Sequence, residues 1–222
     1  MSKFNDAKRL VSYCEVNLEK IRKQHQICLL EQEIKPDFLI KIKNYMENLR
    51  SALDYCASEL FVKYGVCKKS NSKKVNIYFP YARITDSREK YQNKIIERNI
   101  PGLLESKPDI AKVLESYQHF GETGKWLPLF MDIVNKNKHE RLTPQIKKQY
   151  TMVRISGTLP PGGSVEIDLK NIPIGGGPDK PFDAVARKWT GLEFAASGVL
   201  VLPFLDYVLK NVKKIVNDLS DL

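Results

Sequence analysis

One run of five residues, Asn135-Lys136-Asn137-Lys138-His139, concentrates the side chains of this sequence that could do chemistry. A histidine, two amides and two ammonium groups stand at consecutive positions, and no other stretch of the chain combines them. His139 changes charge near neutral pH without special tuning. An imidazole that moves a proton beside fixed cations suits metal-free cleavage of a phosphodiester. That reaction needs a base for the 2′-hydroxyl proton and positive charge on the pentacovalent phosphate. Lys136, Lys138 and Arg141 supply charge from the same stretch, and Arg50 offers it from an earlier helical segment.

Other chemistries are absent from the sequence. It has no P-loop, no dinucleotide-binding glycine fingerprint, no GxSxG elbow and no HExxH. Its three histidines are far apart, and its four cysteines, Cys14, Cys28, Cys56 and Cys67, form no CxxC pair. The expectation is therefore no cofactor, no metal and no disulfide framework, with the cysteines as small buried hydrophobes in a reducing, cytoplasmic compartment. The apolar stretch from Gly191 to Leu209 carries Glu193, Asp206 and Pro203 and is rejected as a membrane span.

The net charge of +10 belongs to the first two-thirds of the chain. Residues 1–100 hold 20 Lys and Arg against 12 Asp and Glu, whereas residues 151–222 balance at 8 against 8. A basic surface attracts phosphate backbones. The lysine-rich loop between Lys63 and Lys74, with Lys68, Lys69, Lys73 and Lys74, is a nonspecific candidate contact for nucleic acid, although a solvated loop accounts for it as well.

The elements that must position these residues are mostly helices. Residues 3–33 follow helical spacing, with His25 among charged neighbours and expected to be solvated. A second helix runs from Pro36 to about Tyr64, closed by Gly65, with a three-four apolar pattern from Phe38 to Phe61. Val75–Phe79 reads as a short strand, and Thr85 or Asp86 as the cap of a helix reaching Arg98, which Pro101-Gly102 breaks. Another helix starts at Pro108, with His119 as a capping residue beyond its end.

The helix that carries the polar run spans about Gly124 to Glu140. Trp126, Leu129, Phe130, Ile133 and Val134 make its apolar face, and Asp132, Asn135, Lys136 and His139 its polar stripe. Asn137 continues the apolar face, so it must be hydrogen-bonded inside or mark the end of the helix. Beyond Pro144 the pattern alternates. Tyr150–Gly157 and Val165–Leu169 read as a hairpin, Leu192–Ala196 as a third strand, and Phe204–Leu219 as a closing amphipathic helix. The glycine run after Ile174 opens no helix and reads as a loop. The expected architecture is mainly α (α+β). It comprises a helical bundle over 1–143, a small antiparallel β appendage over 144–198, and a helix over 199–222 returning to the bundle.

Three segments then carry a resemblance: Asn48-Leu49-Arg50-Ser51-Ala52-Leu53-Asp54, Tyr78-Phe79-Pro80 and Asn135-Lys136-Asn137-Lys138-His139. Together they resemble the LRSALDH, FPI and NxDKHR signatures of a largely uncharacterised family of bacterial and phage proteins. The bundle with a late polar-histidine motif is also similar to the HEPN superfamily, whose members often cut RNA with an Arg-x4–6-His motif. The resemblance implies a HEPN-like bundle, a homodimer, RNA as partner and a place in a defence or toxin-type system. It implies a metal-independent ribonuclease with His139, Asn135, Lys138 and Arg50 as its catalytic set. Lys136, Arg141 and the loop lysines would then contact nucleic acid. The superfamily's arginine positions hold Asp132, Ile133 and Val134 here, Asn137 stands in place of Asp, and Glu140 in place of Arg. The same residues also read as structure alone. In that reading Arg50 and Asp54 brace the end of the later helix, Asn135, Asn137 and His139 satisfy its last carbonyls, and any nucleic acid or nucleotide is bound without being cut.

Overall fold

The computed structural model describes residues 2–31, 34–66, 77–121, 125–139, 142–143, 145–157 and 182–222, with backbone alone for 139, 150–157 and 182–189. Helix α1, Lys3–Leu30, ends three residues earlier than its pattern suggests, where Glu31 turns extended. Ser2 caps it by accepting from Phe4 N, and Glu59 of the next helix accepts from both Ser2 Oγ at 2.9 Å and Lys3 N at 2.8 Å. Helix α2, Pro36–Tyr64, matches its expected bounds, with Pro36 in the first turn and Gly65 at the C-cap. Contacts at 2–59, 14–45 and 24–41 show α1 and α2 running antiparallel.

The polar appearance of α1 around residue 25 misled. His25 is 8% exposed and packs its ring 6.4 Å from that of Phe38, so burial, not solvent, surrounds it. One residue at a heptad-like position outweighs its charged sequence neighbours, because i±1 residues lie on other faces.

Of the expected strand Val75–Phe79, residues 75 and 76 lie outside the described residues, and residues 77–79 form no strand. Side chains take the backbone donors that a sheet ladder would use: Asp54 accepts from Phe79 N at 2.8 Å, and Gln118 Oε1 from Ala82 N at 2.8 Å. Ser87, not Thr85 or Asp86, caps the following helix. Its hydroxyl accepts from Lys90 N, while Asp86 is engaged with Arg83 N and Lys90 Nζ. That helix is built of α3, Arg88–Lys90, a π turn over Tyr91–Ile95, and α4, Ile96–Asn99. The turn at Pro101-Gly102 leads into α5, Leu103–Ser106, and α6, Pro108–Ser116. His119 does not cap α6. Its ring lies 4.8 Å from Phe120 with Nδ1 unpartnered, while Gln118 Nε2 donates to Leu114 O at 2.9 Å.

Helix α7, Trp126–His139, packs against α2. Strand β1, Gln145–Gly157, pairs antiparallel with β2, Phe182–Phe194, and β2 pairs with β3, Val199–Leu200. The expected partner of β1, Val165–Leu169, lies outside the described residues. Leu192–Phe194 is the end of β2, not a separate strand, because Gly191 stays in register opposite Lys148 and the ladder runs through it. Helix α8, Val201–Ser220, turns Phe204, Leu205, Val208, Val212, Ile215, Val216 and Leu219 into the core. Its pairs Arg22–Asp206 and Glu15–Lys213 set it antiparallel to α1. The protein is thus mainly helical, with a three-stranded antiparallel sheet before the last helix, as its patterning predicts. Among the described residues no helix is long and apolar enough to cross a membrane.

Candidate functional site

Burial on α7 is broader than one face. Leu127, Phe130, Met131, Ile133 and Val134 are all within 4% of full burial, which leaves Asp132, Asn135, Lys136 and Lys138 toward solvent. Helix α7 is therefore seated rigidly, and its polar stripe is presented from a fixed base. His139 is its last residue, one turn beyond Asn135 and so on the same side of the helix.

The three signature segments meet here. Arg50, near the middle of α2, donates from Nη1 to Asn135 Oδ1, and its Nε lies 3.8 Å from Asp54 Oδ2. Asp54 accepts from Phe79 N, and Asn135 Nδ2 donates to the Tyr81 hydroxyl at 3.2 Å. Burial pushes the Asp54 carboxyl above its ordinary 3.8, while the Phe79 N–H, Arg50 and Lys138 pull it back. Arg50 and Asp54 are 19% and 24% exposed, so their attraction is only partly screened.

The expected cluster is assembled unevenly. Arg50 and Asn135 are hydrogen-bonded, Lys138 is exposed and near enough to act on Asp54, and of His139 only the backbone, at the end of α7, is described. Lys136 is held at 2.9 Å by Asp132, so its charge is partly spent within the helix. The Asn135 amide does not turn to the last carbonyls of α7: its Nδ2 donates to Tyr81 and its Oδ1 accepts from Arg50, while Asn137 Oδ1 accepts from Thr143 N at 2.6 Å. Asn137, 8% exposed, thus ties the chain leaving α7 back onto the helix. Arg141, Lys68, Lys69, Lys73 and Lys74 lie outside the described residues.

Sequence patterning missed the space beside this cluster. A cavity of about 400 Å³ opens next to Arg50 and Asp54, lined also by Tyr78, Tyr81, Arg83, Asp86, Lys90, Arg98 and Asn99. A wider hollow of about 700 Å³ shares Tyr81, Arg83 and Thr85 with it and reaches Pro128, Leu129, Asn135 and Lys136. The one sequence signal pointing there was Tyr81-Ala82-Arg83 directly after Phe79-Pro80. Arg98 had none, since the π turn shifts its face against any regular helical wheel. Among the described residues no group of three or more His, Cys, Asp and Glu side chains is placed to hold a metal ion.

The chain matches no protein-family model, no curated protein and no solved structure.

Proposed function

We propose that the chain is a HEPN-like, cytoplasmic, homodimeric RNA-directed protein that cleaves RNA without a metal at the α7 polar face. The observation that carries this reading is Arg50. The positions on α7 where the superfamily places its arginine hold Asp132, Ile133 and Val134, and α2 delivers a guanidinium to Asn135, one turn from His139. In this scheme His139 takes the 2′-hydroxyl proton. The 2′ oxygen bonds to phosphorus, the bond to the 5′ oxygen breaks, and the 5′ oxygen leaves with a proton from water. The products are a 2′,3′-cyclic phosphate and a 5′-hydroxyl. Arg50 and Lys138 offset the charge that builds on the phosphate oxygens.

A second reading has its own support. Arg50, Asp54 and Asn135 all have partners inside the protein, which favours a brace between α2, α7 and residues 79–81, serving an RNA- or nucleotide-binding module without catalysis. The deciding experiment incubates the full chain with EDTA on mixed structured and single-stranded RNA, beside His139→Ala and Arg50→Lys variants of verified fold. Cyclic-phosphate ends made by the wild type and lost in His139→Ala support cleavage. RNA left intact by all three, but retained in a salt-sensitive complex, supports binding alone.

A further inference from the structure

The cavity beside Arg50 contains charge that the cleavage scheme does not use. Six arginine side chains are described, and four of them, Arg9, Arg22, Arg50 and Arg88, pair with carboxylates. The two that form no ion pair, Arg83 and Arg98, both line this one cavity. Its other charges cancel within the protein: Lys90 Nζ sits 2.5 Å from Asp86, and Arg50 lies beside Asp54. Arg50, Arg83, Lys90 and Arg98 against Asp54 and Asp86 leave the lining with a net charge of +2, although Asp86 also attracts Arg83, around a space of about 400 Å³, within the roughly 300–1,000 Å³ usual for small-molecule sites.

The walls that hold them are fixed. Gln118 accepts from Ala82 N and donates to the Tyr91 hydroxyl, which in turn reaches Pro80 O at 3.3 Å. One buried amide thus clamps both the segment before Arg83 and the π turn before Arg98. The Tyr81 hydroxyl accepts from Asn135, so its own proton is left to donate.

We propose that this cavity receives a phosphate monoester, the dianionic end of a mononucleotide or of a phosphorylated RNA strand, with Arg83 and Arg98 as its ligands. A monoester carries about −1.5 to −2 charges at neutral pH, which matches the net +2 of the lining. A phosphodiester carries one. Guanidinium also offers the planar fork that phosphate oxygens accept in pairs. The RNA form of the ligand rests on the cleavage or binding reading above; the mononucleotide form does not.

The test is calorimetric titration of the full chain at low salt with inorganic phosphate, adenosine 5′-monophosphate against adenosine, and one single-stranded RNA with a 5′-phosphate against the same RNA with a 5′-hydroxyl. The RNA arm uses a His139→Ala background so that the strand stays whole. An Arg83→Gln/Arg98→Gln variant is run beside each. Both side chains are exposed, so its melting temperature should equal that of the wild type. The expected result is a preference of about tenfold or more for the phosphorylated member of a pair, abolished in the double variant. Preference in the mononucleotide pair alone identifies a free nucleotide, and preference in the RNA pair alone a strand end. Equal binding within both pairs and no binding of inorganic phosphate would overturn the proposal, as would a preference that survives in the double variant. A protein that neither cuts nor binds RNA, yet selects the monophosphate, would remove the RNA reading and leave this site standing.

Discussion

The bond between Arg50 and Asn135 can be weighed by a double-mutant cycle. Arg50→Met keeps most of the side-chain volume but removes the guanidinium from Asn135 Oδ1 and from the neighbourhood of Asp54. A hydrogen bond to a charged group contributes about 1.5–3 kcal/mol. The Asp54 attraction, partly screened, adds roughly 0.2–1 kcal/mol. The expected loss is about 2–4 kcal/mol, or roughly 4–16 °C in Tm for a chain of this size. Asn135→Leu should also destabilise, because Arg50 Nη1 and the Tyr81 hydroxyl each lose a partner. In the double variant neither group of the pair is left waiting for the other, so the combined loss should fall short of the sum by about 1–2 kcal/mol. Urea unfolding of the four proteins at pH 7, with equal m values, gives the coupling directly. Additivity within about 0.5 kcal/mol would refute the reasoning and show that the two side chains do not hold α2 and α7 together.

Burial holds the His25 imidazole neutral, with its pKa below the ordinary 6.5. The unfolded chain therefore binds a proton that the folded chain refuses as pH falls through 6.5, so stability drops on the acid side. His25→Met should lose less stability than the wild type between pH 7.5 and pH 5.5, read by urea midpoints. Gly102 adopts φ +81, and a Cβ there would come within 2.6–2.8 Å of Val66 side-chain atoms and its amide nitrogen. Gly102→Ala should cost at least about 1–2 kcal/mol from the left-handed conformation alone, with more from the overlap, measured by thermal melting. Cys14 and Cys56 are fully buried, and burial pushes both thiols up to about 12. A thiol reagent at pH 8 should leave them unmodified in the native protein and label them at the rate of unfolding.

Where one physical signal dominates, the sequence was legible. Helix α2 could be read to the residue, because Pro36, an unbroken apolar stripe from Phe38 to Leu60, and Gly65 agree with one another. The length of α8 followed from its own stripe, down to Leu219. Failures came where side chains compete with backbone for hydrogen bonds. Residues 77–79 have strand composition, but Asp54, some 25 positions away, takes the Phe79 N–H and removes the ladder. No local pattern records that. The cap of α3 went to Ser87 because Asp86 was already occupied by Arg83 N and Lys90, again a matter of tertiary partners. The polar cluster on α7 was visible as composition. Its connection to Arg50 was visible only as a border position on another helix.

The two halves of the site differ in one respect that decides how a ligand could use them. At the α7 face nearly every polar group already has a partner: Arg50 with Asn135, Asn135 with Tyr81, Asp54 with Phe79 N, Lys136 with Asp132. A phosphate arriving there must trade an existing bond for a new one, and the net gain is the difference between two similar terms. In the cavity, Arg98 forms no ion pair among the described residues, and Arg83 has only its attraction to Asp86, which Lys90 also holds. An anion should therefore seat first between those two, and from that anchor Tyr81 and Arg83 lead directly across to Asn135 and the end of α7, because they line both hollows. On this logic removing Arg83 and Arg98 weakens any ligand that also reaches α7, whereas removing Arg50 leaves anchoring of the phosphate end largely intact.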